Sequence, residues 1–203
     1  MKKKCILLLV VVLYSCNSQS KRPLMGETEY QQKLNAQYKN ATKSPLKKKD
    51  LRNFKGLDFF PIDSSFIVIA QLKRTPDTPY LAMATTTERK PYYREYGTLS
   101  FTLKGKDLTL TLYQSLEEYN DPKYKDYLFL PFTDETSGEG SYGGGRYMDV
   151  FESTINSNDT IELNFNNTYN PYCAYNEKYS CPLTPRKNHL DVAIKAGIKD
   201  FKI

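Results

Sequence analysis

The stretch TLSFTLKGKDLTLTLY, residues 98–113, decides the fold class. Large apolar side chains occupy every second position on both sides of Gly105, and Thr or Ser fills most positions between them. This period of two is typical of β-strands with one buried face. A two-residue turn at Gly105-Lys106 would pair Leu103 with Leu108 and Phe101 with Leu110, so that all the leucines share one face. The sequence therefore predicts an antiparallel β-hairpin here.

Further short apolar or alternating runs predict the rest of a β-rich fold. They span residues 66–70, 81–84, 127–130, 147–151 and 160–165. Together with the hairpin they make about seven strands. We expect a mainly β fold, an antiparallel β-barrel or sandwich of about seven or more strands.

One or two helices are expected before the strands. Thr28 and Gln31 have the spacing of a capping box, and apolar side chains follow at positions 30, 34 and 38. Ser44-Pro45 predicts a second helix, with Ser44 as the N-cap and Pro45 at the first helical position, ended by Gly56. Both helices precede the first predicted strand.

The N-terminus resembles an export signal. Met1 is followed by three lysines and a ten-residue apolar run, which is too short to span a bilayer. The tetrad Leu13-Tyr14-Ser15-Cys16 resembles a bacterial lipobox, in which Cys16 is lipidated after cleavage. We expect a lipoprotein signal peptide at 1–15, a lipidated cysteine and tether at 16–26, and a single β-rich domain at 27–203. The alternative is an ordinary signal peptide with an incidental cysteine.

This interpretation sets the expected location and partners. No acidic cluster follows Cys16, so we expect a bacterial cell envelope protein that is lipid-anchored and faces the periplasm. Removal of residues 1–15 leaves 26 Lys and Arg against 23 Asp and Glu, a formal charge of +3. That charge is too small to suggest nucleic-acid binding. The membrane, through the lipid anchor, is the expected partner, and the sequence identifies no protein partner.

The loop Gly143-Gly144-Gly145-Arg146 suggests a ligand site. Its backbone N–H groups could converge on an anion while the guanidinium binds it with paired hydrogen bonds. Three interpretations remain open: an Arg146 pairing with Asp134 or Asp149 that fixes the loop, an anion or carboxylate site, and a catalytic arginine. The candidate ligand-binding residues are Asp134, Tyr142, Arg146, Asn166, Tyr169 and Asn170.

Cys173 and Cys181 are the cysteines of the predicted domain. In an oxidising periplasm their proximity in sequence favours a disulfide. A zinc site with His189 and a free or catalytic cysteine are the alternatives. We expect no metal and no cofactor.

Several short motifs follow one another along the chain. They are Ser44-Pro45-Leu46, Phe54-x-Gly56-Leu57-x-Phe59-Phe60-Pro61, Tyr96-Gly97-x-Leu99-x-Phe101, and the blocks at 131–147 and 169–183. In these motifs the chain resembles the bacterial family called domain of unknown function 1684, over nearly all of the mature sequence. The resemblance implies no agreed activity. The chain departs from the family pattern at Asn164, Lys187 and Ile198, where acidic residues are usual.

These observations favour a binding module for a small anionic or carboxylated ligand. The alternative is an envelope hydrolase that uses the same cleft, with Asp134 and Glu135 or Cys173 and His189 as candidate reactive pairs. The chain has one His and no Gly-x-Ser-x-Gly motif, so the usual signature of a serine hydrolase is missing. A protein-binding scaffold lipoprotein is a third possibility. The sequence leaves open whether the protein is an enzyme.

Overall fold

The structure is a computed structural model that describes residues 26–201. The predicted signal peptide, Cys16 and nearly all of the tether lie outside the described residues. Within residues 26–201, no helix is both long enough and apolar enough to cross a membrane.

The described chain contains three α-helices and eight β-strands. The helices are α1 (Glu29–Lys39), α2 (Lys48–Asn53) and α3 (Leu116–Asn120). The strands are β1 (Ile67–Arg74), β2 (Leu81–Ala82), β3 (Tyr92–Leu103), β4 (Lys106–Ser115), β5 (Tyr127–Asp134), β6 (Arg146–Phe151), β7 (Thr160–Asn164) and β8 (His189–Leu190). The prediction missed β8, a two-residue strand without a detectable sequence period.

The N-terminal helices were predicted with different accuracy. Thr28 caps α1, and its hydroxyl oxygen accepts a hydrogen bond from the Gln31 N–H at 3.2 Å, as the capping motif indicated. The predicted start of α2 was wrong, because this helix begins at Lys48. The Ser44 hydroxyl instead accepts from the Leu46 N–H at 3.2 Å, so it closes a local turn rather than capping a helix.

The strands form one curled antiparallel sheet that resembles a half-barrel. The strand order is β6-β5-β4-β3-β1-β7, with β2 added beside β3 and β8 added parallel to β5. The prediction of a mainly β, antiparallel fold is confirmed. Strands β6 and β7 form the two ends of the main strand order.

The central hairpin has the predicted strands but a different register. The turn lies at Lys104-Gly105, where φ is 51° and 76°, and Leu103 pairs with Lys106. Phe101 consequently faces Leu108 rather than Leu110. The shift is two residues, which is one full period of a strand, so the same apolar side chains remain on one face.

The two faces of the sheet carry different clusters of side chains. One face holds the main core, in which leucines of β3, β4 and β5 pack with Met148, Val150 and the C-terminal segment from Leu190 to Ala196. The opposite face has an aromatic layer of Tyr93, Tyr113, Phe129 and Tyr147, with Tyr127 and Tyr169 packed against it. The aromatic layer contributes to the candidate site described next.

Candidate functional site

Arg146, the centre of the predicted site, lies inside the protein. The structure leaves none of its surface exposed, and its Nη2 atom is 2.8 Å from Oδ2 of Asp134. The guanidinium also donates to the carbonyl oxygens of Ile194 at 2.9 Å, Ala196 at 2.5 Å and Ile198 at 3.3 Å. Burial lowers the pKa of Arg146, and the Asp134 carboxylate opposes that effect. The arginine therefore ties β6 to the C-terminal segment.

Gly145, directly before Arg146, has a packing role. Arg146 pairs with Phe132 in β5 and lies on the same face of β6 as Met148 and Val150. Gly145 has φ of 91°, and a Cβ atom there would lie 2.5 Å from the carbonyl oxygen of Phe132. Close packing against β5 thus explains the glycine without an anion.

The other predicted site residues do not form one surface. Asn166 is buried and its amide exchanges two hydrogen bonds with the backbone of Asp63, at 3.0 and 3.1 Å. Asn170 is buried and donates to the Lys199 carbonyl at 2.9 Å. Tyr142 is half-buried beside the glycine loop. The structure brings Asp134 and Arg146 together, but in the core, and of the six residues only Tyr169 lines the cleft described below.

A cleft of about 580 Å³ opens on the aromatic face of the sheet. We call it the tyrosine cleft. Helix α1 forms one wall, the sheet forms the floor, and the segment that follows β7 forms the other wall. The lining residues include eight tyrosines and two carboxylates, which are Tyr30, Tyr38, Tyr93, Tyr127, Tyr147, Tyr169, Tyr172, Tyr179, Glu118 and Asp149.

The alternation of side chains along β5 and β6 explains which residues form the floor of the cleft. In β5 and β6, Leu128, Leu130, Met148 and Val150 are in the core, so the residues between them face the cleft. Phe129 lies opposite Asp149 in the β5–β6 register. The segment after β7 is held to β6 by two backbone hydrogen bonds between Tyr147 and Tyr169, at 2.8 and 3.0 Å.

Asp149 is the central polar group of this floor. Its Oδ1 atom accepts hydrogen bonds from the Tyr127 hydroxyl at 3.0 Å and the Tyr169 hydroxyl at 2.5 Å. Protein atoms surround the carboxylate on most sides, although solvent reaches it through the mouth of the cleft. This enclosure raises the pKa of Asp149, while the two tyrosine hydrogen bonds act in the opposite direction.

The aromatic side chains around Asp149 are neutral and pack against one another. Burial raises the pKa of Tyr127 and Tyr169 well above the usual tyrosine range, so both hydroxyls stay protonated and donate. The Phe129 and Tyr147 rings meet edge to face with centroids 4.7 Å apart, and Tyr147 and Tyr169 do so at 5.9 Å. These contacts hold the rings in place.

Glu118 on α3 supplies the second carboxylate. Burial raises its pKa, partly opposed by a hydrogen bond with Ser115. Its Oε2 atom is shielded from solvent and has no hydrogen-bond partner among the described residues. The cleft therefore contains two acidic groups in surroundings that disfavour their charge.

Comparison with known proteins identifies the family. The model of the family "Protein of unknown function (DUF1684)" matches residues 52–199. The chain belongs to this family. A solved relative is an uncharacterized protein of Haloarcula marismortui, determined by solution NMR, with 34% sequence identity and a TM-score of 0.62. The match covers 77% of this chain and 83% of that chain. No curated protein matches.

The match begins at residue 52, so helix α1 lies outside the matched part of this DUF1684 protein. The tyrosine cleft is thus built partly by the family domain and partly by the preceding helix. Sequence reasoning missed Glu118, Tyr127 and Asp149 as cleft residues. The alternation Tyr147-Met148-Asp149-Val150 carried a usable signal, because it places Tyr147 and Asp149 on the face opposite the core.

The two cysteines lie together at the end of the cleft in the DUF1684 domain. Both are free thiols, and the Cys173 N–H donates to the Cys181 sulfur at 3.1 Å. A hydrogen bond from the Cys181 thiol lowers the pKa of Cys173 to about 7 and raises that of Cys181. The predicted disulfide therefore stays a prediction for the oxidised protein, with the residues already adjacent.

The zinc interpretation has no geometric support. The Nδ1 atom of His189 is 3.0 Å from the Thr133 hydroxyl oxygen on β5. Within the described part of the chain, no three His, Cys, Asp or Glu side chains are grouped so that they could hold a metal ion.

Proposed function

We propose that this protein is a lipid-anchored envelope protein whose DUF1684 domain binds a small molecule in the tyrosine cleft. The cleft itself carries the proposal. Its volume of about 580 Å³ lies in the usual range of small-molecule sites. Such sites have mostly apolar walls and a few fixed polar groups, and the tyrosine rings with Asp149 and Glu118 match that description.

The structure does not favour the ligand class that was expected from the sequence. An anionic or carboxylated ligand was expected because of Arg146, which is enclosed in the core and bonded to Asp134. The cleft offers carboxylates instead of that guanidinium. Binding in the tyrosine cleft therefore does not depend on Arg146.

The membrane anchor is supported by the N-terminal sequence. Cys16 follows a basic and apolar leader and stands ten residues before Gly26, the first described residue. A lipidated cysteine at that position would hold the domain close to the membrane surface, facing the periplasm in our proposal. The cleft wall formed by α1 would then be the part of the domain nearest the anchor in sequence.

Two matched variants test ligand binding. Lys33 and Lys39 are both exposed on α1, but only Lys33 lines the cleft. Lys33→Trp should fill part of the cleft, whereas Lys39→Trp should leave it open. Native mass spectrometry of the protein purified from its host should show a bound small molecule in the wild type and Lys39→Trp and little in Lys33→Trp. Equal retention by all three proteins would refute binding in this cleft.

A hydrolase is the second candidate, and one observation favours it. Asp149 and Glu118 share the cleft, and both have raised pKa values. A raised pKa favours the protonated carboxylic acid, which is the form that a general acid needs. Of the pairs considered from the sequence, Asp134 with Glu135 is less suitable, because Asp134 is bonded to Arg146 in the core. The test is whether the wild type converts the copurifying molecule into a product. If it does, and Asp149→Asn still binds the molecule but no longer converts it, the protein is a hydrolase.

A further inference from the structure

The tyrosine cleft contains acidic groups without counter-ions. Among its lining residues Lys33 is the single basic one, and its ammonium pairs with Glu29 at 2.7 Å on the exposed side of α1. Within residues 26–201, neither Asp149 nor Glu118 has a cationic nitrogen within 4.0 Å. Two carboxylates of the cleft thus lack an ion-pair partner among the described residues, of which Asp149 is reached by solvent and Glu118 is partly buried.

One carboxylate oxygen of Asp149 is available to accept a further hydrogen bond. Its Oδ1 receives both tyrosine hydroxyls, and its Oδ2 receives no hydrogen bond from the described residues. A ligand with a positive charge would supply the missing counter-ion and, if it carries an N–H group, a donor for Oδ2. A neutral ligand would leave the charge uncompensated.

The aromatic walls favour the same ligand chemistry. The ring faces of tyrosine and phenylalanine carry partial negative charge and attract cations within about 6 Å of the ring centre. Tyr147 is held edge to face between Phe129 and Tyr169, so these rings present different faces and edges around the floor. A weakly hydrated organic cation loses little on leaving water for such walls, whereas a bare metal ion would need more oxygen ligands than the cleft brings together.

We propose that the tyrosine cleft selects an organic cation, a quaternary or protonated amine, with Asp149 as its counter-ion. The inference rests on the proposed binding function and specifies its ligand class. Asp149 would hold the charged nitrogen, the tyrosine rings would surround its carbon substituents, and Glu118 would add to the negative potential of the cleft.

Three small probes test the ligand class. Choline carries a quaternary nitrogen, butylamine carries a protonated one, and 3,3-dimethylbutan-1-ol is the neutral carbon isostere of choline. Binding can be followed through NMR shifts of the cleft residues in the purified domain. Choline or butylamine should bind saturably and at least about tenfold more tightly than the isostere, the order expected when a cation gains both a carboxylate partner and contacts with aromatic rings.

Variants assign the effect to Asp149. Asp149→Asn keeps the shape of the side chain and removes its charge, so it should weaken binding of the cationic probe about tenfold or more while leaving the isostere unaffected. Asp107→Asn is the matched control, because Asp107 is an exposed residue near the hairpin turn that does not line the cleft. It should change neither probe.

Other outcomes overturn the inference. If neither choline nor butylamine bound more tightly than the isostere, charge would not be recognised, and failure of both cations to bind saturably would also refute the ligand class. A neutral or anionic molecule that copurifies with the wild type and is lost from Lys33→Trp would refute the cation inference alone. The proposed binding function would stand in that last case.

Discussion

Arg146 and Asp134 form an ion pair from which solvent is fully excluded, with Nη2 and Oδ2 2.8 Å apart. The pair joins the start of β6 to the end of β5, and the remaining guanidinium hydrogen bonds reach the C-terminal segment. A charge in this position stabilises the fold only while its partner is present.

Arg146→Ala should therefore destabilise the domain strongly. The variant leaves Asp134 buried without its opposite charge, which costs about 3–5 kcal/mol of unfolding free energy. Arg89→Ala is the control, because it removes an exposed pair with Glu117 and should cost no more than about 1 kcal/mol. Urea unfolding measures both. A nearly unchanged midpoint for Arg146→Ala would contradict the structural role assigned to this residue.

Asp149→Asn should be at least as stable as the wild type at neutral pH. The folded-state pKa of Asp149 is raised above its ordinary value of 3.8, so the folded protein binds this proton more tightly than the unfolded chain does. Ionisation of Asp149 consequently lowers the free energy of unfolding as the pH rises from the unfolded-state pKa through the raised folded-state pKa. Asparagine cannot ionise and avoids this loss.

The pH dependence of that difference provides the check. The stability gain of Asp149→Asn over the wild type should be largest at neutral pH and should vanish below the ordinary aspartate pKa. Glu118 has a raised pKa of its own and titrates in both proteins, so its effect should largely cancel in the comparison. A large loss of stability in Asp149→Asn at neutral pH would show that Asp149 supports the fold rather than a ligand.

Cys173 and Cys181 should form a disulfide when the exported domain is oxidised. The Cys173 thiol has a pKa of about 7, so a large fraction is thiolate at neutral pH, next to its partner sulfur. Closing this short loop should add roughly 2.5 kcal/mol to the free energy of unfolding on the chain-entropy model. Non-reducing peptide mapping should find both residues in one cross-linked species. Two alkylatable thiols in protein taken directly from the periplasm would refute the prediction.

Gly197→Ala should disrupt the C-terminal segment that Arg146 binds. Gly197 has φ of 75°, and an added Cβ would lie 1.9 Å from the Thr168 hydroxyl oxygen. Strain and overlap together should cost at least about 2 kcal/mol. Gly143→Ala is the control, because its nearest contact would be 3.7 Å away. Thermal melts of both variants should show a large decrease for Gly197→Ala only.

Cys16→Ala should release the protein from the membrane in a bacterial host. Cys16 is the residue that the lipobox-like tetrad marks for acylation, and several acyl chains give lasting attachment where one chain does not. The variant should lose labelling by a radioactive or clickable fatty acid and move out of the membrane fraction. Equal labelling of the two proteins would rule out lipidation at this cysteine.

The strands follow from local sequence. Residues 98–113 alternate so regularly that the buried face of the hairpin was predictable, and it was predicted correctly although the turn lies one residue earlier than expected. The start of α1 was equally local, because the Thr28 cap needs only the residues beside it. Patterns of period two or with capping spacing are short-range properties, so a single sequence contains them.

The site depended on contacts that no local pattern contains. Whether Arg146 faces a ligand or the core is decided by the carbonyl oxygens of residues 194–198, which are some fifty positions away in sequence. The tyrosine cleft likewise needs α1, β5, β6 and the segment after β7 to meet. The sequence alone determined the strands, their apolar faces and the lipobox-like leader. The tertiary structure decided that Arg146 is enclosed in the core with Asp134 as its partner. It could do so because the free energy of a buried charge depends on groups brought together from distant parts of the chain.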